Sequence, residues 1–162
     1  MNYRKQILDL LIPHFERDET YHLLVCDMGF GSYDQIRLRF PNRVTNAGIM
    51  EQSTVGIAAG MAIGGMVPVV YSIVNFICFR AIEQVRNDII LQGLNVKLIG
   101  TGANDYFEKL GRSHTCARDD VKIMELVKMP IFDPYEMNRG SISFSQMVDT
   151  WITSDKAGYL RV

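Results

Sequence analysis

The sequence predicts an α/β protein whose doubly wound, mostly parallel sheet carries helices on both faces. Short apolar runs alternate with amphipathic helical segments in a repeated β-then-α order. The runs are almost wholly apolar, as strands covered on both sides are, and glycine-marked loops follow their ends. Such sheets are built with right-handed crossovers and take ligands at the carboxyl ends of their strands. A chain of 162 residues suits one domain, and residues 1–162 are read as one; a chain of this size buries about 70 % of its unfolded surface.

The elements follow in order. Residues 2–17 place Ile7, Leu8, Leu11 and Phe15 at helical spacing, with Pro13 able to shorten or bend the helix. Tyr21 to Cys26 is a short apolar strand that stops at Asp27-Met28-Gly29-Phe30-Gly31. A short helix over 33–40, a strand near Val44 and a helix from about Gln52 to Gly64 come next. Residues 67–74, Val-Pro-Val-Val-Tyr-Ser-Ile-Val, are β-branched in the manner of a buried strand. Residues 79–92 put Ile82, Val85 and Ile89 on one face and Glu83, Arg86 and Asp88 on the other, with Gly93 placed to end the helix. After a strand at 95–100 and a polar loop, Asp119-Asp120 opens a helix as its cap, with Val121, Met124, Leu126 and Val127 as core candidates. Ile131-Phe132, a helix over 145–154 and a strand at 159–162 complete the chain.

Composition excludes several classes. With 48 % hydrophobic and 22 % charged residues the chain is neither disordered nor fibrous. A net charge of -1 supplies no field that would draw it to nucleic acid or an anionic bilayer. Cys26, Cys78 and Cys116 lie far apart without metal-ligand spacing, which argues against a disulfide framework or a zinc site and for a reducing cytoplasm. No charge falls between Glu51 and Arg80, a length that otherwise marks a membrane span. Gly64-Gly65 and Pro68 interrupt it, so helix, turn and strand is the reading, and no membrane is expected. The charged residues soon after the amino terminus leave no export signal.

Gly29-Phe30-Gly31 begins like a dinucleotide fingerprint, but Asp34 stands where that fingerprint needs glycine. Glu51, the lone carboxylate before the uncharged stretch, has an ordinary explanation as first-turn charge on a helix dipole. Gly56, Gly60 and Gly64 favour another. Each costs a helix roughly 1 kcal/mol relative to alanine, tolerable where a second backbone or a ligand comes close. Phe76 and Phe79, near a strand end, are core or ligand-stacking residues, and His114 is a lone loop histidine.

Asn46-x-Gly48-Ile49-x-Glu51-Gln52, then Ala58-Ala59-Gly60-Met61-Ala62-x-Gly64-Gly65 and Pro68, resemble the pyrimidine-binding domain of transketolase-type thiamine diphosphate enzymes. Phe76, Arg80-Ala81-x-Glu83-Gln84, Asp88, Gly111-x-Ser113-His114, Asp119-Asp120, Pro130…Asp133-Pro134…Glu136 and Tyr159-Leu160-Arg161 extend the resemblance from about Leu23 to Val162. It implies that Glu51 hydrogen-bonds the pyrimidine ring nitrogen of thiamine diphosphate as a buried, proton-sharing carboxylate. It also implies that Phe76 stacks on that ring, with Ile49 and Phe79 as further cofactor contacts. His114 would polarise a substrate oxygen and help stabilise an alkoxide, and Arg112 and Arg118 are candidate holders of a phosphate or carboxylate, each with a solvated loop charge as its simpler reading.

The chain departs from transketolases that act on sugar phosphates at Leu110, where those often carry aspartate, and at Thr115-Cys116. It also contains no Gly-Asp-Gly, the start of the family's Mg²⁺ and diphosphate motif. The resemblance therefore implies a split enzyme. The Mg²⁺ ligands would lie on a separate subunit, in a heterotetramer of two heterodimers that acts on a sugar or sugar-phosphate substrate. The implied reaction is transfer of a two-carbon ketol unit to an aldehyde. Related machinery serves 2-oxo-acid decarboxylases and dehydrogenases and 1-deoxyxylulose-phosphate synthase, and a non-catalytic subunit or a flavodoxin-like binding module remain alternatives.

Overall fold

The computed structural model describes residues 2–136 and 142–162. Their six strands form one parallel sheet: β1 (Tyr21–Val25), β2 (Val44–Asn46), β3 (Val67–Ile73), β4 (Lys97–Thr101), β5 (Ile131–Phe132) and β6 (Gly158–Arg161). The order across the sheet is β2-β1-β3-β4-β6-β5. From β1 the chain moves outward to β2, then returns to the other side of β1 as β3. The carboxyl ends of β1 and β3 therefore border the switch point at which open α/β sheets bind ligands.

Alternation along the strands divides the core into two layers. Leu23 and Val25, Val69 and Tyr71, Ile99, and Leu160 point to one face, where α1 (Tyr3–Arg17), α2 (Asp34–Arg39) and α6 (Phe144–Thr153) supply Leu8, Leu11, Phe15, Ile36, Val148 and Trp151. Leu24, Val70, Leu98 and Tyr159 point to the other, against α3 (Glu51–Ile63), the helical segment 76–90 and α5 (Asp119–Leu126). Helices on both faces explain why the strands read as unbroken apolar runs.

The uncharged stretch resolves as α3, a glycine turn and β3, and among the described residues no helix is long and apolar enough to cross a membrane. Gly64 caps α3 rather than lying within it, and Gly65 makes the turn at φ +85°. Nothing in the described chain approaches the position a Cβ would take on Gly60, and only the Asp88 carboxylate comes within 4.0 Å of that on Gly56. The glycine face thus looks outward.

One boundary differs from expectation. Helical geometry begins at Val74, directly after β3 ends at Ile73, and not at Phe79. Phe76–Arg80 is a widened π-helical turn, followed by the short α4 (Ile82–Gln84) and a second π-helical stretch, Val85–Ile90. Amphipathic periodicity cannot signal the first turn, because Ile77 and Cys78 are buried while Phe79 and Arg80 face outward. Wide turns of this kind are rare and frequently occur at functional sites.

Candidate functional site

Three loops meet at the switch point. The Asn46 side chain ties two of them together: its Oδ1 accepts from the backbone N–H groups of Asp27 and Gly48, each at 3.0 Å, and its Nδ2 donates to Asp27 Oδ1 at 3.1 Å. Gly48 has φ +80°, a conformation costly for other residues, so the chain can turn sharply into α3. Glu51 is the first residue of that helix. Its charge therefore gains from the helix dipole, as the simpler reading holds, yet only 1 % of its side chain is exposed.

A buried carboxylate needs partners. Glu51 Oε1 accepts from the Ser72 hydroxyl at 3.0 Å, and Oε2 accepts from Arg80 Nη1. Ser72 reaches it because strand alternation places Ser72 with Val70 on the α3 side of β3. The Arg80 guanidinium also lies over the Phe76 ring, with Cζ 4.3 Å from the centroid. Widened-turn geometry brings these two residues, four apart, onto one side. Beside Glu51, the Cys26 thiol is pushed up to about 11 by burial and stays protonated at neutral pH.

Phe76 in turn meets His114 edge to face, with ring centroids 5.2 Å apart. The His114 turn is pinned by buried Asn75, whose Nδ2 donates to the carbonyls of Ser113 at 3.1 Å and Thr115 at 2.8 Å. Glu51, Phe76 and His114 are thus linked through Arg80 and Asn75. One open depression is lined by Ile49, Met50, Glu51, Gln52, Ser53 and Arg80, and a second by Asn75, Phe76, Phe79, Arg80 and Ser113. Arg80 forms the shared wall. Ile49, 70 % exposed, and Phe79, 51 % exposed, stand at the two rims.

The arginines flanking His114 differ. Arg112 is exposed on the same turn as His114. Arg118 is committed elsewhere, with Nη1 donating to Asp133 Oδ2 at 3.0 Å and Nη2 paired with Glu136 at 2.7 Å. Asp120, expected as a helix cap, is instead buried within the first turn of α5 and pairs with Arg161. The Cys116 thiol, close to His114 in sequence, is pushed up to about 11 by burial.

Sequence reasoning leaves Ser72, Asn75 and Arg80 without roles. Ser72 is legible as the one aliphatic hydroxyl in an otherwise apolar strand, and Asn75 adjoins Phe76. Arg80 ends the uncharged stretch and opens one of the family motifs, but nothing local signals its return over Phe76 to Glu51. Among the described residues, no group of three or more His, Cys, Asp or Glu side chains is placed to hold a metal ion. The donor set does suit a planar nitrogen heterocycle: a buried carboxylate accepts an N–H while an aromatic ring covers the donor's face, and a guanidinium already satisfies both.

Residues 1–150 match the transketolase pyrimidine-binding domain, and the chain belongs to that family. It is 29 % identical over 147 residues to the 6-deoxy-6-sulfo-D-fructose transketolase subunit SqwH of Clostridium sp. (strain MSTE9), covering 90 % of this chain and 45 % of that one. It is 40 % identical over 100 residues to one subunit of the apulose-4-phosphate transketolase of Actinobacillus succinogenes, covering 61 % of this chain and 32 % of that one. A solved structure described as a split gene transketolase, inactive beta4 tetramer, superposes with a TM-score of 0.80 at 26 % identity, over 98 % of this chain and 49 % of that one. The chain thus spans less than half the length of these relatives.

Proposed function

We propose that this chain supplies the cofactor-activating glutamate of a split, thiamine diphosphate-dependent transketolase-like enzyme. The single observation that carries the reading is the buried Glu51 carboxylate at the switch point, joined through Arg80 to the Phe76 ring. When bound, thiamine diphosphate supplies a carbon nucleophile at its thiazolium C2. Glu51 holds a proton between its carboxylate and the pyrimidine ring nitrogen, and Ser72 keeps the other carboxylate oxygen in place. Phe76 covers the ring face, while Ile49 and Phe79 exclude water at the rims. His114 hydrogen-bonds the substrate oxygen on which charge develops, and Asn75 fixes the turn that presents it. Arg112 is the better placed of the two arginines to hold a substrate anion, given the ion pairs of Arg118.

The reaction assigned to the site is transfer of a two-carbon ketol unit from a ketose or its phosphate to an aldehyde. The names of the relatives, both transketolase subunits, support it. The Mg²⁺ and diphosphate ligands are assigned to a separate subunit, a reading supported by relatives that are themselves named as subunits; the sequence given has no Gly-Asp-Gly, and its described residues offer no clustered metal ligands. The outward glycine face of α3, flanked by exposed Ile57 and Ile63, provides the apolar surface for that subunit, in a tetramer of two heterodimers.

The test is reconstitution with a polypeptide carrying the Gly-Asp-Gly…Asn motif. Ketol transfer should require both chains, and Glu51→Gln should lower kcat by about 10²- to 10⁴-fold, the range of a lost proton-transfer group. Full turnover by Glu51→Gln would refute the assignment.

A further inference from the structure

We infer that Arg80 is an internal occupant of the pyrimidine seat, holding Glu51 and Phe76 in binding geometry until the ring of the cofactor displaces it. The inference rests on the assignment of those two residues to the pyrimidine. The Arg80 guanidinium is flat, carries N–H donors, gives one to Glu51 Oε2 and lies 4.3 Å over the Phe76 ring. These are the two contacts the seat would offer an aminopyrimidine. A carboxylate oxygen can accept two hydrogen bonds, but a ring and a guanidinium cannot lie on the same aromatic face together, so one must leave.

The surroundings suit such an exchange. A carboxylate as buried as Glu51 would be left with a desolvated charge if its donor were simply absent, a strongly destabilising state. Arg80 removes that cost before the ring arrives, and the proton that Glu51 shares with the ring nitrogen removes it afterwards. Arg80 is also the partner able to move, because its side chain is 40 % exposed while Glu51 is 1 % exposed. It stands between the Glu51 depression and the Phe76 depression, so its departure joins them. It ends a widened turn, and Ala81 after it leaves helical geometry at φ -109° and ψ 14°, so its side chain can swing without disturbing α4.

The probe is 4-amino-5-hydroxymethyl-2-methylpyrimidine, the pyrimidine half alone, which needs no phosphate-binding partner. It is titrated into the full ¹⁵N-labelled chain and followed by NMR. In the wild type, saturation should displace the Arg80 Nε–H resonance, and Arg80→Met should bind the ring about five-fold more tightly, the free energy of a half-exposed ion pair having been released. Glu51→Gln should weaken binding in either background. Should Arg80→Met not fold, Arg80→Lys keeps a charge beside Glu51 without a plane to lay on Phe76, and tightens binding by a smaller factor. Weaker or unchanged binding by both Arg80 variants, with binding still sensitive to Glu51→Gln, overturns the inference and leaves the Glu51 assignment standing. Binding insensitive to Glu51→Gln, or no saturable binding by Arg80→Met up to the solubility of the ring, overturns both.

Discussion

Arg161 is fully buried, yet its guanidinium sits among Asp120 at 2.8 Å, Asp133 at 2.9 Å and Asn104 at 3.0 Å. Burial alone would lower its pKa, but hydrogen bonds and charge from Asp120 and Asp133 overcome this and hold it above the usual arginine value. The closing Tyr-Leu-Arg is visible in the sequence, whereas its pairing with an aspartate 41 residues earlier has no local periodicity to reveal it. Lys97 is the opposite case. It is fully buried, donates to the carbonyls of Ser154 at 2.8 Å and Lys156 at 2.6 Å, and burial lowers it from 10.5 to about 8. The sign follows from proton counts. Between pH 8 and 10.5 the unfolded chain binds more protons at this residue than the folded one, so stability contributed by Lys97 rises with pH there. Urea unfolding at several pH values should show the wild type gaining on Lys97→Met by up to about 1.4 kcal/mol per pH unit in that window, with no such trend below it. Glu51 is the most legible site residue, since an isolated carboxylate before a long uncharged stretch stands out. Arg80, its partner, does not.

Element by element, the strands are readable as short apolar runs covered on both faces, and most helices as a buried face of helical period. The exception is the start of segment 76–90, where tertiary packing selects wide turns that amphipathic spacing cannot describe. Sheet geometry also constrains the middle of β4. A Cβ on Gly100 would lie 2.6 Å from Tyr159 Cε2, and the Tyr159 hydroxyl donates to Asp120 at 2.8 Å. Gly100→Ala should therefore push the ring off Asp120 and destabilise the protein by about 1–3 kcal/mol, the usual range for overpacking, as read from denaturant midpoints. A change below a few tenths would show that β4 and β6 separate freely, against the close packing of Tyr159 on Gly100.

At the scale of the molecule, the two-layer core and the strand order explain why the site lies where it does. The chain reverses direction across the sheet between β1, β2 and β3, and the loops leaving those strands, joined by the loop that follows β4, bring Asn46, Glu51, Phe76 and His114 together. Fold class and the family's motifs can be read in advance, because both are carried by patterns within the chain. The outward glycine face of α3 has no complement among the described residues and is assigned to a second polypeptide under the proposed function, whereas the exposed Ile49 and Phe79 are assigned there to the rims of the cofactor seat. The most direct measurement is deuterium exchange at the thiazolium C2 of thiamine diphosphate bound to the reconstituted enzyme. With the wild-type chain, exchange should far outpace that of the free cofactor, and with Glu51→Gln it should fall back toward the free rate while the cofactor stays bound. Equal exchange in the two would contradict the role given to Glu51.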